Sequence, residues 1–322
     1  MKLLKCTIVI AGIVLAAANA YAAESFPTKP IRVVVPFPPG AASDFLARVV
    51  GTRLSEVYGQ QIVIDNRPGA GGLIGSQIIG KSNPDGYTIG LVGQPHLTNV
   101  LLREKKPYDV FKDFSSISLV ASIPNAVVLG NGVAASTMSE LVALAKSKPG
   151  ALNFGSAGVG SSSHLAAELF ISATGIKAAH VPFKSLGDVF SEMLAGRVHF
   201  YVFPLSAAMP LLRDGRLRAV AVATPKRAYA LPNVPTTAEA GWPQFQSDSW
   251  FGFIAPDGVP KKIIAGLNAS VVKILGQPDV REQFLKGGSE PAFGPPEQFL
   301  KLQHSEYARI GKLIQDLGIK VQ

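Results

Sequence analysis

Two stretches of the chain repeat one design: an apolar strand, a loop of glycine, serine and proline, and a helix that opens on small polar residues. They run from Ile31 to Leu46, I-R-V-V-V-P-F-P-P-G-A-A-S-D-F-L, and from Leu152 to Leu169, L-N-F-G-S-A-G-V-G-S-S-S-H-L-A-A-E-L. Such a loop leaves backbone N–H groups without intrahelical acceptors at the positive end of a helix dipole, which makes a seat for an anion. Two seats in separate halves predict a cleft that grips a small anion from both sides. That is the plan of a binding protein more than of an enzyme.

The N-terminus indicates where such a protein works. Lys2 and Lys5 precede an apolar run from Thr7 to Ala18 that ends in small residues, the pattern of a secretory signal peptide over residues 1–22. Cleavage is expected after Ala20-Tyr21-Ala22, or one residue later after Ala23. The run is shorter than the roughly 20 residues of a comfortable membrane span. Cys6, the single cysteine, lies inside this leader and lacks the small residues that precede a lipid-modified cysteine. A mature chain without a thiol excludes disulfides, zinc thiolates and cysteine nucleophiles.

About 300 residues remain, enough for two domains and a substantial core. Hydrophobic residues make up 47 % and charged ones 16 %, yet no later apolar run reaches the roughly 18 residues of a membrane helix. A soluble mature protein is expected. Loss of Lys2 and Lys5 with the leader lowers the formal net charge from +9 to +7. The remaining basic residues are scattered, as in Arg213, Arg216 and Arg218 or Lys261 and Lys262, without aromatic interleaving, so no nucleic-acid partner is expected. A mild positive field favours anionic small molecules, although solubility alone explains it equally well.

Short β-rich runs alternate with helical patterns, which predicts an α/β fold with parallel sheets of βαβ units. Strands are expected at Ile31 to Val35, Ile62 to Asp65 and Tyr87 to Val92, with helices near Ser43 to Tyr58 and Leu73 to Lys81. Asn66-Arg67-Pro68-Gly69 and Asn83-Pro84-Asp85-Gly86 separate them as turns. A second set begins after Pro124, with strands at Ala126 to Leu129, Leu152 to Gly155, Ala178 to Val181, His199 to Phe203 and Ala219 to Ala223. Its helices are expected at Met138 to Lys146, Ser162 to Thr174 and Leu186 to Ala195. The tail is helical again, spaced on Ile263, Leu267, Val271 and Leu275 and then from Phe299 onward, and its apolar faces are expected to cover the first set. Crossovers therefore fall near Ser122 to Asn125 and near Trp250 to Pro256. They define a discontinuous domain I, residues 26–122 plus 254–322, a domain II, residues 123–253, and a two-segment hinge.

In its combination of motifs the chain resembles the periplasmic solute-binding receptors of tripartite tricarboxylate transporters, the Bug family. The motifs are V-V-P-F-P-P-G-A-A-S-D at Val34 to Asp44, N-P-D-G-Y-T at Asn83 to Thr88, N-F-G-S-A-G-V-G-S-S-S-H-L-A-A-E-L-F at Asn153 to Phe170 and H-V-P-F-K at His180 to Lys184. L-A-G-R-V at Leu194 to Val198, L-P-N-V-P-T-T-A-E-A-G at Leu231 to Gly241 and W-F-G-F-I-A-P at Trp250 to Pro256 complete the set. The resemblance implies a type II periplasmic binding fold, two α/β domains closing like a clamshell, with no catalytic activity, cofactor or metal. It implies a periplasmic, monomeric receptor that hands a small carboxylate to integral membrane transporter subunits, or alternatively docks on a sensor kinase. The carboxylate class spans di- and tricarboxylates, aromatic acids and acidic amino acids.

Family ligand contacts map onto Phe37, Pro39, Gly40, Ala41, Ala42, Ser43 and Asp44 in the first loop, and onto Ser156, Ala157, Gly158, Gly160, Ser161, Ser162 and His164 in the second. Phe37, Phe183 and Phe203 read either as walls for the ligand's carbon skeleton or as core, and Lys184 as solvated or as a ligand contact. Asp44 reads as a cap or loop brace, with Ser43 sharing the cap. One of Ser161 to Ser163 is expected to cap the second helix and another to reach the ligand. His164 divides between a structural hydrogen bond and a donor facing the cleft. Gly40→Pro and Gly160→Pro are each expected to remove a backbone donor and weaken carboxylate binding. Two departures from the family stand out. Ala41 replaces the second of two consecutive glycines, at a cost of about 1 kcal/mol or more if its φ is positive, and His199 replaces an acidic residue.

Three other patterns carry less. Gly75 to Ser82 fits the phosphate-loop spacing but sits in a helical run instead of opening a helix after a strand. Ser161 and His164 hint at an esterase, but no G-x-S-x-G elbow accompanies them. His164 and Glu168 at i, i+4 supply two metal ligands without a third.

Overall fold

The computed structural model describes residues 26–159 and 161–318. The expected signal peptide and Gly160 lie outside them. The chain opens with β1 (Ile31–Val35), α1 (Ala42–Tyr58), β2 (Ile62–Asn66), a 3-10 turn (Ala70–Gly72), α2 (Leu73–Gly80), β3 (Thr88–Gly93) and α3 (Pro95–Leu101). A long strand follows, β4 (Phe114–Leu129), and then α4 (Met138–Ser147), β5 (Leu152–Ser156), α5 (Ser162–Thr174) and β6 (Ala178–Pro182). Next come α6 (Leu186–Leu194), β7 (Phe200–Pro204), α7 (Leu205–Arg213), β8 (Arg218–Val222) and β9 (Asp248–Pro256). The chain ends with α8 (Lys261–Leu275), α9 (Pro278–Lys286), β10 (Glu290–Pro291) and α10 (Pro296–Leu317).

Two sheets result, and β4 belongs to both. The first has the order β2-β1-β3-β9-β4 with β10 beyond β4, and the second β8-β4-β7-β5-β6. The expected parallel pairing holds for β1 with β2 and β3, and for β5 with β6 and β7. Both sheets are nonetheless mixed: β9 is antiparallel to β3 and β4, and β7 and β8 are antiparallel to β4. A chain that leaves one sheet and returns beside its own exit must run in opposite directions in the two passages.

Those passages are adjacent. β4 pairs with β9 from Phe114↔Pro256 to Pro124↔Asp248, and from Asn125 onward it pairs with β7 and β8. Pro124, with no N–H to donate, stands at the switch. The return falls at Ser247–Asp248, earlier than the expected Trp250 to Pro256, and the Asn125 N–H donates to Ser247 O (3.3 Å). The W-F-G-F-I-A-P run lies wholly in β9 because its side chains alternate between two cores, Trp250 and Ile254 on one face, Phe251 and Phe253 on the other.

Each sheet is covered on both faces. Val33, Leu46, Val50, Leu267 and Val271 fill the layer under α1 and α8, and Val34, Ile79, Val92, Trp250 and Phe299 the opposite layer under α2 and α10. In the second sheet Val127 and Leu129 face α4 and α5, whereas Ala126 and Val128 face α6 and α7. Leu165 of α5 joins the core with Trp250 and Phe299, so the two lobes share a buried contact. Among the described residues no helix is long and apolar enough to cross a membrane.

Candidate functional site

The first loop is held from within. Gly40 takes φ +83°, and Ala41, the residue before α1, takes φ −68° and ψ 160°. The left-handed position thus falls on the glycine, and Ala41 is unstrained. The Gly40 N–H donates to Asp44 Oδ2 (3.0 Å), which also accepts from Arg48 Nε (3.0 Å), while Arg48 Nη2 lies 2.9 Å from Asp44 Oδ1. Burial works to raise the Asp44 carboxyl, but the bonds from Arg48 and Gly40, helped by Asn66 and the Arg48 charge, hold it below the usual range. Asp44 is therefore a loop brace. Because it occupies the Gly40 N–H, that group is no ligand donor here, and Gly40→Pro would test the brace instead. Ser43 does not share a cap, since its buried Oγ has no partner among the described residues.

In the second loop most donors are likewise engaged. Ser161 caps α5, its Oγ accepting from the His164 N–H (3.3 Å) and lying 3.1 Å from Ser163 Oγ. Ala157 N–H donates to Ser163 Oγ (3.1 Å), Gly158 N–H to Ser156 Oγ (3.1 Å) and Ser161 N–H to Gly158 O (3.2 Å). What remains is the first turn of α5 apart from the capped His164 N–H, where N–H groups have no intrahelical acceptor. Beneath it the His164 ring stacks on His180, with centroids 4.0 Å apart, and Phe154 stacks on His180 at 4.8 Å. His180 Nε2 meets Ser156 Oγ at 2.6 Å, and burial, reinforced by His164, pushes the His180 pKa down to about 4. His164 is thus part of a structural stack, with Nε2 3.6 Å from Glu168 Oε1.

A cleft of about 380 Å³ opens between the lobes. From the second lobe Ala157, Val159, Ser161 and Ser162 line it. From the first lobe come Phe37, the turn residues Ala70 and Gly71, and a wall of Pro95, Thr98, Asn99, Leu102 and Arg103. Of the expected site residues, the cavity brings together Phe37, Ala157, Ser161 and Ser162. Pro39, Gly40, Ala41, Ala42, Ser43 and Asp44 lie outside its lining, as do Ser156, Gly158 and His164. Phe203 is 1 % exposed and stacked on Tyr201 at 4.2 Å, so it belongs to the core because β7 turns it inward. Phe183 is half-buried against that core, and Lys184 is exposed. His199 ties β5 to β7, its Nδ1 accepting from the Asn153 N–H (2.8 Å).

The wall after β3 escaped the sequence reading. A signal was present in Gly69-Ala70-Gly71-Gly72, four consecutive residues with positive φ, including the non-glycine Ala70 at +48°. Such a conformation outside glycine is uncommon and gathers at functional sites. The phosphate-loop look-alike is confirmed as helical, since its residues from Gly75 to Gly80 lie in α2. No group of three or more metal-ligating side chains occurs among the described residues.

Two sheets joined by neighbouring strands, with a cleft between them, define the α/β fold of the periplasmic solute-binding proteins. The family model "Tripartite tricarboxylate transporter family receptor" matches residues 46–319, and the chain belongs to that family. Its members are receptors, not enzymes. The chain is similar to the protein BugT of Bordetella pertussis, 34 % identical over 318 residues that span 97 % of this chain and 98 % of the relative. Among solved structures, an R. palustris protein with adipate is 36 % identical, with a TM-score of 0.84 over 92 % of this chain and 99 % of the other. MatC from Rhodopseudomonas palustris with bound malate is 31 % identical, with a TM-score of 0.77 over 90 % and 100 %.

Proposed function

We propose that the chain captures a small carboxylate in the cleft between its lobes, in the periplasm, and delivers it to the integral membrane subunits of a tripartite carrier. The observation that carries this reading is the placement of the α5 N-terminus: Ser161 and Ser162 present its first turn to the cavity, where helix dipole and N–H groups favour an anion. Phe37, Leu102 and Val159 supply apolar wall for the carbon skeleton. The β4–β9 ribbon serves as a hinge between residues on either side of Pro124–Asn125 and Ser247–Asp248. Ligand shifts an open–closed equilibrium of the lobes, and closure excludes water and strengthens the charge interactions inside. Relatives solved with adipate and malate make short dicarboxylates the first acids to try.

The test is thermal unfolding of the protein without its leader against mono-, di- and tricarboxylates, aromatic acids, acidic amino acids and their uncharged amides. At a ligand concentration a hundredfold above Kd, one acid is expected to raise Tm by about 5 °C or more while its amide does not. Equal shifts by acid and amide, or none by any acid, would overturn the anion-capture reading.

A further inference from the structure

Arg103 follows α3 and stands half-buried in the cleft wall, the one charged side chain among the described lining residues. One edge of its guanidinium is pinned: Nη1 donates to Asn99 O (3.0 Å) and Asn99 Oδ1 (2.7 Å). Asn99, itself buried, donates from Nδ2 to Gly71 O (2.9 Å), which locks the pair to the glycine turn. Several arginines elsewhere hold carboxylates, as Arg48 holds Asp44, Arg67 holds Asp65 and Arg309 holds Glu306. Of the described arginines without such a partner, which include Arg213, Arg216, Arg218 and Arg281, Arg103 is the one that lines this cleft. Arg103 forms no ion pair with any Asp or Glu of the described residues, and Nε and Nη2 have no acceptor among them. Those two nitrogens form the side-on fork that fits a carboxylate bidentately. A guanidinium held rigid, partly desolvated and without a counter-charge is matched by an anion brought from outside.

We infer that Arg103 selects ligands carrying a second negative group, and so makes the site one for dicarboxylates. This rests on the reading above, in which the first carboxylate lies at the α5 N-terminus. The second then meets the Arg103 fork, and the linking carbons lie along Phe37, Leu102 and Val159. Pinning through Asn99 makes the arginine a selector of position as well as of charge.

The experiment compares matched pairs, succinate, adipate and benzene-1,4-dicarboxylate each against its monomethyl ester, by calorimetric titration of wild type, Arg103→Met and Arg103→Lys. Wild type is expected to bind at least one diacid tenfold or more tighter than its ester. Arg103→Met closes that gap by weakening the diacid tenfold or more while the ester stays within twofold, and Arg103→Lys falls between. An unchanged gap in Arg103→Met overturns the inference. So does an equal loss for diacid and ester, which assigns the arginine to the fold. If wild type binds the esters as tightly as the diacids, carboxylate capture stands and the selector role falls. If it binds neither, the selector role falls, and carboxylate capture is decided by the wider panel of acids and amides above.

Discussion

Gly40 and Ala41 divide the demands of the first loop between them. Gly40 carries the left-handed φ, with open space where a Cβ would stand, while Ala41 is extended at φ −68°. An alanine there restricts the unfolded chain without straining the folded one, so the departure from paired glycines reverses the sign that its sequence alone suggests. Ala41→Gly is expected to destabilise by about 0.4–1 kcal/mol, read from the midpoint of urea unfolding; a gain in stability would contradict the observed backbone geometry. At this scale the sequence was informative about residue type and less so about direction. Ser161 as a cap and Asp44 as a brace follow from local chemistry that a sequence displays. The inward turn of Phe203 and the cleft-facing position of Arg103 depend on strand register and on a helix of seven residues, α3, whose period is too short to read.

Elements with a strong period were legible: α5 spans the expected Ser162 to Thr174, and β1 the expected Ile31 to Val35. The first half of β4 was not, because Ser115, Ser116, Ser118 and Ser122 break its apolar alternation and Pro124 reads as a strand end. α7 was hidden by Pro210 within it. In β9 the family motif W-F-G-F has a packing reason. A Cβ on Gly252 would come within 2.2 Å of Phe299 Cζ, whose ring also meets Trp250 edge-on at 5.4 Å. Backbone and ring approach this closely only without a side chain. Gly252→Val is expected to cost about 1–3 kcal/mol or more through overpacking, measured by urea unfolding. The control is Gly266→Ala, in open space on α8, which is expected to gain about 0.5–1 kcal/mol. Comparable losses in the two variants would rule out the Phe299 contact as the cause.

The stability of the whole molecule depends on pH through its buried imidazoles. His96 is fully enclosed between Tyr108, stacked at 5.0 Å, and Phe114, with Nδ1 3.1 Å from Ser76 Oγ and no partner for Nε2 among the described residues. Burial pushes its pKa down to about 3. The unfolded chain, titrating near 6.5, binds the proton that the folded chain refuses, so the contribution is complete above about pH 6.5 and is lost as pH falls towards 3, by about 1.4 kcal/mol per pH unit. His96→Phe is expected to remove about 3 kcal/mol of the difference in unfolding free energy between pH 7.5 and 4.5. An unaltered difference would show that His96 is hydrated or protonated in the folded chain.

The shared β4–β9 ribbon also sets an order of assembly. β9 is the strand between β3 and β4, so while the chain is being synthesised β3 has an open edge until residues far along the sequence emerge. The second sheet is bounded by Asn125 and Ser247, which meet each other, and every strand that fills it lies between them. Its lobe is complete while the first still waits for β9, α8 and α10. The part of the chain made first is therefore the part finished last, and a molecule truncated before Asp248 would contain one closed lobe attached to an unfinished sheet with its β3 edge exposed.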